Sequence, residues 1–285
     1  MKVLVAGGRG FIGREVVARL NAAGHEAVAT GRGDTAATAP QGFDALVWAA
    51  GGRPVSAEQC VADHAHAAVK TARAMPGLKK IVYMSSAEVY GLQDVPFHED
   101  APLLGASPLG QAKVAGEHSM PAAAPEAKLV ILRPCWVIGP GLAPSTFLPT
   151  LISSLHQRRR YSMTPGQQTR DMVYVDDVAR AVLRSLDDDA PAGAYNIGTG
   201  VETSVLDMAL IIAERVRSSA IALLDVGARP YREGEAFRVA IDVSRAKEKL
   251  GFVAEISLED GLARMVDELM RAADERAAKA QVAVV

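Results

Sequence analysis

The sequence predicts an α/β fold, in which a doubly wound parallel sheet is followed by a smaller C-terminal substrate lobe. Short continuous apolar runs alternate with helical segments through the first half of the chain. This alternation is typical of parallel strands that helices cover on both faces. A glycine-rich turn at residues 7–13 joins the first apolar run to the first helix. Beyond residue 138, prolines and glycines divide the chain into shorter pieces, which indicates a second lobe.

Hydrophobic spacing and turn residues place the elements in order. The first strand is the apolar run at residues 3–6, and the helix at 13–23 ends at Gly24. The other predicted strands of this half lie at residues 26–30, 45–50, 81–84 and 129–132. The remaining predicted helices lie at residues 57–75 and 111–119, and a long closing helix lies at 258–277.

Composition excludes several classes of partner. The net charge is −2 and 22% of the residues are charged, which favours neither nucleic acid nor a membrane surface. No run approaches the roughly 18 apolar residues of a membrane span, and the chain start lacks the cleavage pattern of a signal peptide. The two cysteines fit a reducing, cytoplasmic location. His64 and His66 do not share a helix face, so no metal is expected.

The glycine-rich turn predicts a dinucleotide site. Gly7, Gly10 and Gly13 stand between a strand and a helix, where they allow a tight turn and close approach of a pyrophosphate. The second strand ends without the carboxylate that an NAD site usually places there. Arg9 and Arg32 can instead flank a 2′-phosphate, so NADP(H) is favoured. Asp34, two residues after Arg32, is a weaker candidate for the carboxylate of an NAD site.

We therefore assign residues 1–138 and 173–198 to a Rossmann-type NADP-binding domain. Residues 139–172 and 199–277 are assigned to the substrate-binding lobe. Residues 278–285 are expected to form a disordered tail, because they carry no signals of packing.

Several further segments, in order, carry a resemblance to a known family. They are residues 82–91, 132–134, 139–141, 170–179, 195–198 and 249–252. Together with the glycine turn they resemble the extended short-chain dehydrogenase/reductases of the NAD-dependent epimerase/dehydratase group. The resemblance departs at residues 33–42, which are too short for the family's additional helix and strand. The sheet is therefore expected to be one strand shorter on that side, with the adenine more exposed.

The resemblance also assigns the catalytic positions. Ser86 matches the residue that hydrogen-bonds the reacting carbonyl oxygen, and Lys113 matches the lysine that holds the nicotinamide ribose. Leu109 stands where the family has its catalytic tyrosine. Leucine cannot carry a proton, so the usual general acid is missing. Leu109 and Lys113 are four residues apart and share a helix face.

The remaining predicted site residues follow from the same resemblance. Cofactor contacts are expected from Gly7, Arg9, Gly10, Phe11, Ile12, Gly13, Arg32, Ala49, Ala50, Lys113 and Pro134. Substrate contacts are expected from Ser86, Glu88, Tyr90, Leu109, Trp136 and Arg170. The resemblance also implies a homodimer formed by the helices around residues 57–75 and 109–120.

The missing tyrosine decides the predicted reaction. Oxidation followed by reduction needs a proton carrier twice, whereas reduction of a ketone can take its proton from serine, water or the substrate. We therefore predict an NADPH-dependent ketoreductase for a small-molecule ketone, such as an aromatic polyketide in antibiotic biosynthesis, since the chain resembles the tyrosine-lacking ketoreductases of such pathways. A nucleotide-sugar epimerase or dehydratase, with Arg170 and Arg229 on a diphosphate, is one alternative. A non-catalytic NADP-binding regulator is the other.

Overall fold

The computed structural model describes residues 1–31, 41–51, 56–93 and 95–282. Its centre is a six-stranded sheet whose strands are all parallel. The first five strands in chain order are β1 (Lys2–Ala6), β2 (Glu26–Thr30), β3 (Ala45–Trp48), β4 (Lys80–Met84) and β5 (Lys128–Pro134). The central strands are apolar on both faces and almost wholly buried, as the sequence predicted.

Helices cover both faces of this sheet. The helices between its first five strands are α1 (Phe11–Ala22), α2 (Ala57–Val61), α3 (Ala67–Arg73) and α4 (Pro108–Ser119). A π-helical turn, Ala62–His66, joins α2 to α3, and a 3₁₀ turn, Ala87–Tyr90, follows β4. Helix α1 packs its buried side chains on one face of the sheet. Helix α3 covers the opposite face.

The chain then leaves the sheet and returns to it. The elements after β5 are β6 (Trp136–Ile138), α5 (Phe147–His156), β7 (Tyr161–Met163), β8 (Thr169–Arg170), β9 (Met172–Tyr174), α6 (Val175–Ser185) and β10 (Gly193–Ile197). Strand β10 completes the large sheet beside β5, and α6 lies on the same face as α1. The final order is β10-β5-β4-β3-β1-β2.

This order creates a switch point between β1 and β3. From β1 the chain passes outward to β2, then crosses back to form β3 on the other side of β1. Ligands of open parallel sheets bind outside the carboxyl ends of the strands at such a point. Among the described residues β2 is the outer strand, and the predicted loop at 33–42 lies largely outside them.

The second lobe contains the remaining elements. They are β11 (Thr203–Ser204), α7 (Val205–Val216), a 3₁₀ helix (Ser218–Leu223), β12 (Leu224–Val226), β13 (Arg238–Val239), a π-helical segment (Ala246–Leu250) and α8 (Leu258–Val282). Helices α5, α7 and α8 share one hydrophobic core. Short sheets pair β8 with β11 and β13, β7 with β12, and β6 with β9.

The predicted end of the closing helix is wrong. Helix α8 continues to Val282, so residues 278–282 are helical rather than disordered. Two of these five residues are alanine, the residue with the highest helix propensity. In the part of the chain that the structure describes, no helix has the length and apolar character needed to cross a membrane.

Candidate active site

The glycine-rich loop leaves no room for side chains. Gly7 has a φ of +79°, and a Cβ there would lie 2.6 Å from the Cα of Ala50. A Cβ at Gly13 would lie 2.1 Å from the carbonyl oxygen of Gly7. Gly10 is the N-cap of α1, and no side chain caps that helix end. The first N–H groups of α1 and the positive end of its dipole therefore fit the pyrophosphate of a dinucleotide.

The other predicted cofactor residues gather at the same edge of the sheet. Phe11 and Ile12 open α1 and are half-buried. Ala49 and Ala50 directly follow β3, and the N–H of Ala49 donates to the carbonyl oxygen of Ala6 at 2.9 Å. Pro134 ends β5. The carboxyl ends of β1 and β3 thus flank the switch point, and the end of β5 lies two strands beyond β3 at the same edge.

Arg9 extends from the loop to the end of β2. A Cβ placed on Gly31 would lie 3.2 Å from the Cδ atom of Arg9. Arg9 is therefore positioned beside the end of β2, the place where dinucleotide-binding folds of this type usually read the ribose. Arg32 and Asp34, the other two residues of the cofactor argument, lie outside the described residues.

Ser86 begins the turn that follows β4. Its Oγ atom accepts a hydrogen bond from the backbone N–H of Glu88 at 3.2 Å. Because the oxygen accepts this bond, its hydroxyl hydrogen can be donated to a substrate oxygen. Ser86 is half-buried and Glu88 is exposed, so both side chains are accessible at the carboxyl end of β4.

The start of α4 packs directly against this turn. A Cβ on Gly110 would lie 2.5 Å from the carbonyl oxygen of Glu88. Ser107 caps the helix by accepting from the N–H of Gly110 at 3.0 Å, and its hydroxyl donates to Oε2 of Glu88. Leu109 is half-buried in the same first turn. Sequence reasoning missed Ser107, although a serine before a proline at the first helical position is a recognisable capping signal.

Lys113 lies one turn further along α4 and is buried. Its Nζ donates to the carbonyl oxygen of Met84 at 2.6 Å and lies 5.2 Å from the centroid of the Tyr83 ring. Burial disfavours the charged ammonium and lowers the pKa of Lys113 to about 8. The structure thus brings Ser86, Leu109 and Lys113 to the carboxyl end of β4.

A buried polar network stands behind this edge. Arg133 forms a bidentate pair with Glu117 at 3.0 and 2.6 Å. Glu117 also accepts from the hydroxyl of Ser85, and Arg133 donates to the hydroxyl of Tyr90 at 2.9 Å. The Tyr90 hydroxyl in turn donates to Asn196. Burial raises the pKa of Tyr90 to about 12.

Tyr90, predicted to contact substrate, is therefore placed differently from the other predicted residues. Its side chain is fully buried and its hydroxyl is occupied within the network. The sequence marked residues 132–134 only as part of the resemblance and did not mark Glu117, because Glu117 and Arg133 lie on different elements and meet only when α4 packs on β5.

Trp136 and Arg170 meet where the second lobe begins. Trp136 follows the carboxyl end of β5 and is 40% exposed. The guanidinium of Arg170 lies 5.0 Å from the centroid of the Trp136 ring and 3.3 Å from Glu235. Arg170 is buried, and within the described part of the chain its Nε has no hydrogen-bond partner. A buried cation with an unused donor is typical of a site for an anionic group.

Comparison with known proteins identifies the sequence family. The family model described as the NAD dependent epimerase/dehydratase family matches residues 3–198. UDP-glucose 4-epimerase from Mycolicibacterium smegmatis is 33% identical over 207 residues, which cover 68% of this chain and 63% of that protein. dTDP-D-glucose 4,6-dehydratase from Bos taurus is 34% identical over 146 residues, or 50% of this chain and 41% of the relative. The chain thus matches less than two thirds of the length of these relatives.

Solved structures share the fold over nearly the whole chain. MoeE5 in complex with UDP-glucuronic acid and NAD superposes with a TM-score of 0.83 and 28% identity, covering 96% of this chain and 100% of that chain. UDP-glucose 4-epimerase from Thermotoga maritima, solved with UDP-glucose, has a TM-score of 0.83 and 23% identity, covering 95% and 99%. The latter likeness supports the fold alone.

These relatives correct the predicted reaction. The ketoreductase interpretation, with its ketone substrate and its place in antibiotic biosynthesis, is wrong, because the similar proteins include a UDP-glucose 4-epimerase and a dTDP-D-glucose 4,6-dehydratase, and MoeE5 was solved with UDP-glucuronic acid. They favour the alternative that the sequence left open. The glycine loop, the residues at the end of β4 and the match over residues 3–198 agree: the chain belongs to the NAD dependent epimerase/dehydratase family.

Proposed function

We propose that this protein is an NAD(P)-dependent nucleotide-sugar epimerase or dehydratase, which oxidises a hydroxyl of a UDP-linked sugar. The observation that carries the proposal is the buried Arg170 guanidinium, whose Nε lacks a partner in the described part of the chain. A diphosphate would supply the missing acceptor. The matched relatives are named for UDP-glucose and dTDP-D-glucose, both of which contain a diphosphate.

The residues at the sheet edge fit a dinucleotide. The glycine loop would hold its pyrophosphate, and Lys113 would hold the nicotinamide ribose. We propose NADP(H) rather than NAD(H), because Arg9 lies beside Gly31 and β2 ends without a carboxylate among the described residues. When bound, the dinucleotide would accept the hydride from the sugar and return it.

The chain's own groups would handle the oxygen of the sugar. Ser86 donates its hydroxyl hydrogen to this oxygen and orients it, because its Oγ is held by the N–H of Glu88. Removing one such donor typically costs about 10²–10³ in turnover. Leu109 contributes an apolar wall but no proton, so proton transfer must use another group.

Incubation with candidate substrates tests the proposal. We expect UDP-glucose or UDP-glucuronic acid to bind in calorimetric titration and to be converted in the presence of NADP⁺ or NAD⁺, followed by proton NMR of the sugar. Ser86→Ala should retain sugar binding and lose most turnover. Absence of UDP-sugar binding would contradict the proposal.

The missing tyrosine also favours a second candidate, a non-catalytic dinucleotide-binding regulator. Leu109 removes the usual proton carrier while the glycine loop and Lys113 remain. The same experiment separates the two functions, because a regulator binds NADPH but converts neither UDP-sugar.

A further inference from the structure

Proton transfer in this site needs a group that can carry a proton, and most nearby groups are committed elsewhere. The hydroxyl of Tyr83 donates to the carbonyl oxygen of His64 at 2.9 Å. Tyr90 lies in the buried network, where Glu117 is paired with Arg133. The ammonium of Lys113 donates to a backbone carbonyl.

Glu88 is placed differently from these groups. Glu88 is an exposed carboxylate in the turn that begins with Ser86. The backbone N–H of Glu88 donates to Oγ of Ser86. Its backbone touches the first turn of α4 at Gly110, directly beside Leu109. The turn that carries Glu88 and the helix turn that carries Leu109 are therefore in direct contact.

Ser107 holds the Glu88 side chain in one orientation. The N–H of Gly110 donates to Oγ of Ser107, and the Ser107 hydroxyl donates to Oε2 of Glu88. This hydrogen-bonded chain ends at the N-terminus of α4, where the helix dipole favours a negative charge. Ser107 donates to Oε2 of the Glu88 carboxylate, so the other oxygen, Oε1, points away from this hydrogen bond.

We propose that Glu88 is the catalytic acid–base group of this protein in place of the missing tyrosine, with Ser107 as its positioning residue. The assignment rests on the proposed nucleotide-sugar function. In the oxidising direction the O–H bond of the sugar hydroxyl breaks and its proton goes to the Glu88 carboxylate. The electron pair of that bond would form the carbonyl, and the oxidised dinucleotide, when bound, would accept the hydride that the carbon loses. The reducing direction returns the same proton.

Glu88→Gln is the first test, because the amide keeps the size of the side chain but cannot exchange a proton in this way. Turnover of UDP-glucose or UDP-glucuronic acid should fall by about 10²–10⁴-fold, the usual effect of losing a general acid–base group. Binding of the UDP-sugar and of NADPH, measured by calorimetry, should stay within about twofold. Glu88→Asp should recover part of the turnover. Glu126→Gln, which changes an exposed glutamate after α4, is the matched control.

A tyrosine restored at the position of Leu109 supplies a second test. Leu109→Tyr in the Glu88→Gln background should raise turnover at least about tenfold, because a phenol then stands four residues from Lys113. Ser107→Ala should lower turnover less than Glu88→Gln does, and Ser107→Thr should restore it.

A measurement without the dinucleotide checks the geometry directly. In protein labelled with ¹³C at glutamate carboxyls, the Glu88 signal should move on addition of UDP-glucose and also in Ser107→Ala. Unchanged turnover in Glu88→Gln, or a Glu88 signal that ignores a bound UDP-sugar, would overturn this assignment and leave the proposed function standing. Failure of the wild type to bind UDP-sugars would instead overturn both.

Discussion

At the scale of single residues, charge and burial decide what the site can bind. Arg9 and Arg170 bring guanidinium groups to two separate places, one beside Gly31 at the end of β2 and one beside Trp136. Each has a defined anionic target in the proposed function, a ribose phosphate and a diphosphate. The binding of each of these two groups can be measured separately.

The first prediction concerns the choice of dinucleotide. Wild-type protein should bind NADPH more tightly than NADH, because Arg9 and Arg32 can pair with the 2′-phosphate. Arg32→Asp should weaken NADPH and relatively favour NADH, since a carboxylate repels the phosphate and accepts from the ribose hydroxyls. Fluorescence titration of both dinucleotides measures this, and equal affinity in the wild type would contradict it.

The second prediction concerns Arg170. Arg170→Met should weaken UDP-glucose binding by about 10- to 100-fold, the value of a charge-assisted hydrogen bond. NADPH binding should be unchanged, because Arg170 belongs to the second lobe. Arg215→Met, which removes an exposed arginine paired with Asp267 on α8, is the control and should leave both affinities intact. Calorimetry of each variant gives the comparison.

The third prediction uses the titration of Lys113. Burial lowers its pKa in the folded protein to about 8, below the ordinary value of 10.5. Between these values the unfolded chain holds a proton that the folded chain has lost, so stability rises with pH through this window. The rise from this one group is up to about 3 kcal/mol. Urea unfolding should show it as a difference between wild type and Lys113→Met, and parallel pH profiles would refute it.

At the scale of elements, the position of α4 determines the site, because it carries Ser107, Leu109 and Lys113. The Glu117–Arg133 pair fastens this helix to β5. Both side chains are buried, so the loss of one partner leaves an uncompensated charge in the interior.

The fourth prediction follows from that pair. Glu117→Leu should destabilise the protein by about 3–5 kcal/mol in urea unfolding, whereas Glu117→Leu with Arg133→Met should cost less than the sum of the two single changes. Glu275→Ala breaks the exposed pair with Arg271 on α8 and should cost at most about 1 kcal/mol. Additive single changes in the buried pair would contradict the prediction.

Many of the helices and strands were predictable, because the hydrophobic pattern of each element is local in the sequence. The strands of the large sheet are continuous apolar runs, and the glycine turn shows both the loop and the start of α1. The extent of α8 was missed because residues 278–282 lack an apolar face, although their alanines favour helix. The burial of Tyr90 was missed because its partners, Arg133 and Asn196, are distant in sequence and meet only in the folded chain.

At the scale of the whole molecule, the proposed function assigns the two ligands to different sheets. The proposed dinucleotide site lies at the large sheet, and Arg170 belongs to a short three-stranded sheet. A UDP-sugar in the proposed site would touch both. The predicted homodimer stays a prediction, and light scattering of the purified protein measures it.

The fifth prediction concerns stability with ligands. NADPH at about 100 times its Kd should stabilise the folded protein by about 2.7 kcal/mol. UDP-glucose added to the NADPH complex should raise the thermal midpoint further, because in the proposed function it binds only the folded state. Differential scanning calorimetry of the free protein and of the single and double complexes measures this. A midpoint unmoved by UDP-glucose would count against its binding.

The tight packing at Gly7 and Gly13 has a consequence for how this protein can be evolved in the laboratory. Any replacement of either glycine adds a Cβ that meets backbone atoms, so a random library loses its members there to misfolding. Glu88 is exposed and Leu109 is half-buried, so neither side chain is enclosed as the two glycines are. Saturation at these two positions should therefore yield mostly folded variants. Selection among these variants would test other proton-transfer groups while the proposed dinucleotide site stays unchanged.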